Sequence, residues 1–531
     1  MRGSGPRFPA LVRYAPLMWL IVVAGCGSSS VSLGSPDPDE STDDSGHDRL
    51  PGEEASTSFG CDPLATDAEV DELEMARLVF RCAGGATPEH WRLASAPAGS
   101  SFDEATATLT WQTDLASAGV WAVQVDAVKG DRTERAQATI AVADAYDERG
   151  NEEPDPLTYT HEYGLPVFHL SVNGVLPEAG TKPVTVTYGG HEFTGAEAQY
   201  RGASSSYYPK RSYRVDFAPD DEFEDHSEGF PNRRSVVLTS TFDDNSYFRQ
   251  KMCFDIWNLL NPARPIATTF AVLYLNGEYV GLYLLGDHID GEWFENFGYP
   301  EEGNLYKSVD HSANFYSTYG GAKSSWHSGY EKKEGVEGDW SDIDAFVEFV
   351  ATSSNDDFDA GIGQIVDLED IYDWWAMVVF AEADDSGGKN AYLYNDPAAP
   401  LFRFEPWDLN HSLGQTWQTE REPATYAYDF TSVNGLFLRL LNSPTHGSVM
   451  RERFADARSS VLSRDEMQAL IDSYVARIDR SAQRDWREWE DEYRSYGGWS
   501  WRTDWTDHHQ EVAYVRDWID DRWSFIEGWD P

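Results

Sequence analysis

Positive charge is what this chain has least of. In 531 residues, 41 Lys and Arg stand against 91 Asp and Glu, a formal charge of −50. Such a surface repels a phosphodiester backbone and excludes a nucleic-acid partner. It attracts a protein partner or substrate of basic character and tolerates divalent cations. Cysteine is also scarce, with 4 in all and no cluster at metal-binding spacing. Long apolar runs are missing: Leu17 to Val23 is shorter than the ~20 residues that span a bilayer, and no later stretch reaches that length.

That short run follows Arg2, Arg7 and Arg13 and precedes the small residues Ala24 and Gly25, so residues 1–26 read as an export signal. Val23-Ala24-Gly25-Cys26 fits a bacterial lipobox, in which the Cys26 thiol is acylated and becomes the first residue of the mature chain. The expectation is a lipoprotein at the cell envelope (outer membrane or cell surface) that meets the membrane only through its anchor. Disulfides form there. Cys61 and Cys82 lie in one small region and are expected to pair, leaving Cys253 as a buried small hydrophobe in an apparent helix.

An apolar fraction of 41% and 20 tryptophans can support two or three domains. Residues 27–58, rich in Ser, Gly, Pro and Asp, cannot bury a core and read as an acidic, disordered tether. From 59 to 145 short alternating strands take over, among them Ala107 to Trp111 and Val120 to Val125. Their spacing suggests a small all-β sandwich, and the stretch resembles the immunoglobulin-like and cadherin-like modules of bacterial surface proteins. After an acidic linker, Asp147 to Asp155, a large domain runs over 157–531. It opens with strands, continues with helices near Phe248–Leu260, Asp342–Thr352 and Leu368–Ala383, and ends in Trp- and Arg-rich helices over Arg464–Trp489 and Val512–Trp529. A hairpin joins Ala271–Leu275 to Val280–Leu285 through Asn276-Gly277. That order is α+β.

Three segments of this domain suit phosphoryl transfer. Arg201-Gly202-Ala203-Ser204-Ser205 is a small-residue loop through which backbone N–H groups can approach phosphates. In the strand after it, Tyr213, Val215 and Phe217 form one face and Lys210, Ser212 and Arg214 the other. Asp385 is followed five positions later by Asn390, the catalytic-loop spacing in which an Asp accepts the substrate hydroxyl proton and an Asn holds Mg²⁺. Phe404-Glu405-Pro406-Trp407-Asp408 follows a strand, where a kinase keeps its Mg²⁺-binding Asp.

These segments, with Asp244-x-Ser246-x-x-Arg249, Leu275-Asn276-Gly277-Glu278-Tyr279-x-Gly281 and Asp385-x-x-x-Lys389-Asn390, resemble in order the motifs of the spore-coat protein H (CotH) kinase family. The resemblance implies an atypical protein-kinase-like domain that uses ATP and Mg²⁺ to phosphorylate Ser or Thr hydroxyls. It implies Asp385 as catalytic base and Asn390 and Asp408 as metal ligands. It further implies Lys210 on the nucleotide phosphates, Arg201, Ser204 and Ser205 in the covering loop, and Asp287, within Leu285-Gly286-Asp287-His288, on the adenine side. Two positions depart from the family pattern: Asn410 stands where an Asp is usual, and Asp287 where a Glu is usual. The competing reading is a non-catalytic surface adhesion protein, and phosphorylation of a glycan hydroxyl is a third.

Overall fold

The computed structural model describes residues 61–143, 160–499 and 506–528, except for 66, 72–73, 84–85, 114–116, 131 and 319–322. The expected export signal with Cys26, the tether and the acidic linker lie outside these residues. Among the described residues no helix is long and apolar enough to cross a membrane.

Residues 61–143 are all β. Four strands (Ala68–Asp71, Arg132–Ala143, Gly119–Lys129, His90–Ser95, in sheet order) and three more (Met75–Val79, Thr108–Gln112, Ser101–Asp103) share one core. Alternation makes that core: Ala76 and Leu78 point in while Met75, Arg77 and Val79 face water. Trp111 and Trp121 meet edge to face at 5.2 Å, and Cys61 is disulfide-bonded to Cys82 while Cys253 is free and buried.

The next region is an eight-stranded sheet from His161 to Asp287, antiparallel throughout except where Thr268–Leu275 pairs in parallel with Leu165–Ser171. That pairing closes the sheet on itself. Phe168, Val186, Val215, Leu238, Leu273 and Leu285 fill its interior. Its outer face packs Val237, Val272 and Leu284 against the helix Arg249–Leu260. The same large core takes in a second, four-stranded sheet (Tyr330–Glu334, Asn304–Ser308, Ala391–Asn395, Arg403–Pro406, in sheet order) and the helix Leu368–Ala381, buried on every side beyond its first turn. Two late helices, Arg464–Ser495 and His508–Glu527, pack against each other. The architecture is α+β with a β-rich N-terminal region.

Scarce cations act as internal clamps. Arg249, fully buried, bridges Asp244 at 2.7 Å and Glu511 at 2.6 Å. Arg264 does the same for Asp370 and Glu405 at 2.6 and 2.5 Å. The all-β region touches the late helices: Trp121 lies 4.7 Å from the His509 ring, and Arg487 donates to the Ala118 carbonyl at 2.9 Å.

Candidate functional site

Asp385 sits where the buried helix Leu368–Ala381 stops. Glu382 ends that helix in the left-handed region at φ +51°, and a short turn over Asp384–Ser386 carries the chain into the strand Ala391–Asn395. The Asp385 carboxylate receives Lys389 Nζ at 2.9 Å and Asn390 Nδ2 at 3.1 Å, with His311 Nε2 at 3.8 Å. Asn390 is itself pinned, its amide donating to Ser308 and its carbonyl accepting from Trp407. Asp408 follows one strand away. It is exposed between buried Trp407 and Leu409, and the Ser386 hydroxyl donates to its carbonyl at 3.3 Å. Asn390 and Asp408 both hold positive φ, +59° and +58°. Left-handed backbone is uncommon outside glycine and concentrates where function requires it. The Asp–Asn–Asp set expected from spacing is therefore brought to one place.

Arg201 joins it. Its guanidinium lies 4.9 Å from the Trp407 ring centre, and among the described residues it has no ion-pair or hydrogen-bonded partner. Burial pushes its pKa down, while Tyr392 and Asp408 act to hold it up. Lys307, on the strand Asn304–Ser308, is in the same position: its Nζ lies 5.5 Å from the Tyr392 ring centre and among the described residues forms no ion pair, although the Asp408 and Glu331 charges act on it through space. Burial, and then Arg201, lower Lys307 to about 8. His288 is held neutral by burial and by Arg201, Arg214 and Lys307, and its buried Nδ1 has no partner among the described residues. Arg214 is turned to Asp216 at 2.8 Å. Beside these side chains a cavity of about 320 Å³ is lined by Arg214, His288 and four carboxylates, Asp290, Glu292, Glu301 and Glu334.

Among the other expected residues, Ser204 and Ser205 lie in the turn after Arg201, while Lys210 and Asp287 are placed differently. Gly202, at φ +115°, leads into the turn Ser204–Tyr207; a Cβ there would run into the Ser205 hydroxyl, which accounts for the glycine. Lys210 does not face this group. It is 1% exposed, and its Nζ donates to Asp485 at 2.5 Å and to the Leu282 carbonyl at 2.6 Å. Gly281 leaves the room for that pair. Asp287 is fully buried and receives Arg233 Nε at 2.6 Å, the Ala267 amide at 2.8 Å and Trp293 Nε1 at 2.8 Å. Both side chains are already satisfied by the protein. Lys307 was not singled out from sequence, and its signal was faint: one lysine in a strand whose other residues are all buried. Lys389 stood in the motif without a role; its i,i+4 spacing from Asp385 is the signal.

The family model described as CotH kinase protein matches residues 198–526. The chain belongs to that family. The matched span holds every residue of the cleft named above. Among curated proteins, Inner spore coat protein H of Bacillus subtilis (strain 168) is 26% identical over 282 residues, 52% of this chain and 75% of that protein. Solved structures include the titin M3 domain, 19% identical over 15% of this chain and 96% of that domain, with a TM-score of 0.13. A SusE-like surface located polysaccharide binding protein from Bacteroides thetaiotaomicron is 10% identical over 33% of this chain and 30% of its own, with a TM-score of 0.14. At those TM-scores neither bears on the fold of this CotH-family chain.

Proposed function

We propose that this CotH-family chain is an atypical protein kinase that uses ATP with Mg²⁺ and passes the γ-phosphate to a Ser or Thr hydroxyl of a basic protein. The observation that carries the reading is the pair Arg201 and Lys307. In a chain with a 50-charge excess of acid, two neighbouring cations that form no direct ion pair among the described residues, with only Asp408 and Glu331 acting on them through space, are costly unless a further anion arrives to meet them. Phosphates are such anions. In this reading Arg201 and Lys307 take the phosphate charge, and Lys210 supports the loop from behind through Asp485.

Asp385 orients the acceptor hydroxyl and takes its proton, with Lys389 and Asn390 fixing its carboxylate. Asp408 and Asn390 would hold Mg²⁺. The donor set fits: both offer hard oxygens, and Asp408 projects into solvent. Among the described residues no three carboxylates, imidazoles or thiols form a ready metal cage. That suits an ion that takes one or two protein oxygens and completes its shell with water and phosphates. Bound Mg²⁺ would neutralise phosphate charge during transfer. Acylation at Cys26 would keep the enzyme at the cell envelope.

The test is Mg²⁺-dependent transfer of labelled phosphate from ATP by the full chain, alongside calorimetric titration. Asp385→Asn should leave Mg²⁺-ATP binding nearly intact while transfer falls by roughly 10²–10⁴-fold, the range for losing a general base. Asp408→Asn should weaken nucleotide binding as well. A folded wild-type chain that binds no Mg²⁺-ATP at millimolar concentration would sink the kinase reading in favour of surface adhesion.

A further inference from the structure

The loop between the strand Ser235–Thr239 and the helix Arg249–Leu260 carries two carboxylates: Asp244 is clamped by Arg249, and Asp243 has no part in the roles above. Asp243 is 4% exposed, and its Oδ2 accepts three hydrogen bonds. They come from the Tyr208 hydroxyl at 3.1 Å, Asn410 Nδ2 at 2.6 Å and His411 Nε2 at 3.1 Å. The Asp243 carbonyl accepts a fourth, from Gln415 Nε2 at 2.8 Å.

The donors come from two places. Tyr208 closes the turn that follows Arg201 and Gly202, its amide donating to the Ser205 carbonyl at 3.1 Å. Asn410 and His411 follow Asp408 directly. We propose that Asp243 is a positioning residue that fixes the loop bearing Arg201 against the segment bearing Asp408. The cationic and carboxylate halves of the cleft then keep one spacing, a consequence that rests on the phosphotransfer reading.

Burial acts to raise the Asp243 carboxyl, but the His411 hydrogen bond and charge outweigh it and keep the group ionised. An ionised acceptor suits three donors on one oxygen. Asn410 is oriented by this contact: Asp243 accepts from its Nδ2, and its buried Oδ1 meets no donor among the described residues. A carboxylate at 410 would meet Asp243 at hydrogen-bond distance and repel it. With Asn at 243 and Asp at 410, donor and acceptor are exchanged and that one pair re-forms, while Tyr208 and His411 lose the oxygen that accepted them.

The experiment compares the full chain with Asp243→Asn, Asn410→Asp and the double variant, each well below its melting temperature. Titration with Mg²⁺-ATP should show each single variant binding about tenfold more weakly, the effect of losing a hydrogen bond to a charged group. The double variant, which re-forms the 243–410 pair alone, should recover part of the Asn410→Asp loss and bind between that variant and wild type, and no recovery at all would count against the pairing. Asp243 acting only in stability would lower melting temperature and leave the Kd of the folded protein unchanged, which would overturn the proposal. Hydrogen–deuterium exchange supplies an arm independent of nucleotide. In Asp243→Asn, residues 203–209 and 409–415 should lose protection together. Should wild type bind no Mg²⁺-ATP, the kinase reading fails and exchange alone decides: joint loosening supports the tie, and loosening of one segment alone refutes it.

Discussion

Lys307 offers a prediction in which binding and stability move in opposite directions. Burial and the neighbouring Arg201 bring its pKa to about 8, against an ordinary value of ~10.4. A polyanion in the cleft favours the ammonium, so binding above pH 8 must take up a proton. Between pH 7 and 9 the protonated fraction of the free protein falls from roughly 0.9 to roughly 0.1, and affinity for Mg²⁺-ATP should fall about tenfold with it. Stability runs the other way. The unfolded chain keeps this lysine protonated to ~10.4, so between pH 8 and that value the unfolded state binds more protons and folding gains with rising pH, by ~1–3 kcal/mol after allowing for partial exposure. Lys323, lowered to about 8 mainly by burial, adds stability of the same sign but is not part of the cation pair. Lys307→Gln separates the two: it should bind Mg²⁺-ATP weakly at pH 7 and lose the wild-type pH slope, while keeping the Lys323 share of the stability trend. Calorimetric titration at pH 7, 8 and 9, with denaturant melts at the same values, reads both. A wild-type affinity constant within twofold across that range, or a slope retained by Lys307→Gln, would refute the reasoning.

Two further outcomes follow from buried groups away from the cleft. Arg249→Met leaves Asp244 and Glu511 buried, with Glu511 still held by Arg421 and the Thr506 hydroxyl; breaking such a pair costs ~3–5 kcal/mol, read as a lower midpoint in urea. Opening the Cys61–Cys82 bridge with Cys82→Ser frees a loop of 21 residues in sequence and should destabilise the all-β region by ~3 kcal/mol in the chain-entropy account. Peptide mapping of the untreated protein should find Cys253 reduced, and a bridge there would contradict the structure.

Local patterns made part of this fold legible. Asn276 and Gly277 both hold positive φ, +53° and +83°, as a two-residue hairpin turn requires, and the strands on either side run Thr268–Leu275 and Glu278–Asp287. The helix over Leu368–Ala381 was visible as an amphipathic segment, and the Asp385 to Asn390 spacing survives because the turn and the strand that hold it are contiguous. What escaped were pairings over distance. The parallel contact of Val167–Leu170 with Val272–Leu275 joins segments about a hundred residues apart and leaves no local trace. Lys210 alternates with Tyr213 and Val215 and so reads as a cleft lysine, yet its partner lies on the late helix. Asp287 follows a glycine at a strand end, a plausible ligand position, until Arg233 from another strand claims it.

The Lys210–Asp485 pair also sets an order of events during synthesis. Its two members are 275 residues apart. At ~5–20 residues per second, the second follows the first after tens of seconds. Through that interval the closed sheet has a lysine whose native site holds no counter-charge, and a buried unpaired ammonium is strongly unfavourable. The sheet can collapse early around Phe168, Val215 and Leu273, but the final seating of the turn ahead of Ser212 waits for the helix Arg464–Ser495. Nascent chains that end before residue 485 should thus carry a loose Arg201 loop, and the cleft assembles last, once nearly the whole chain has been made.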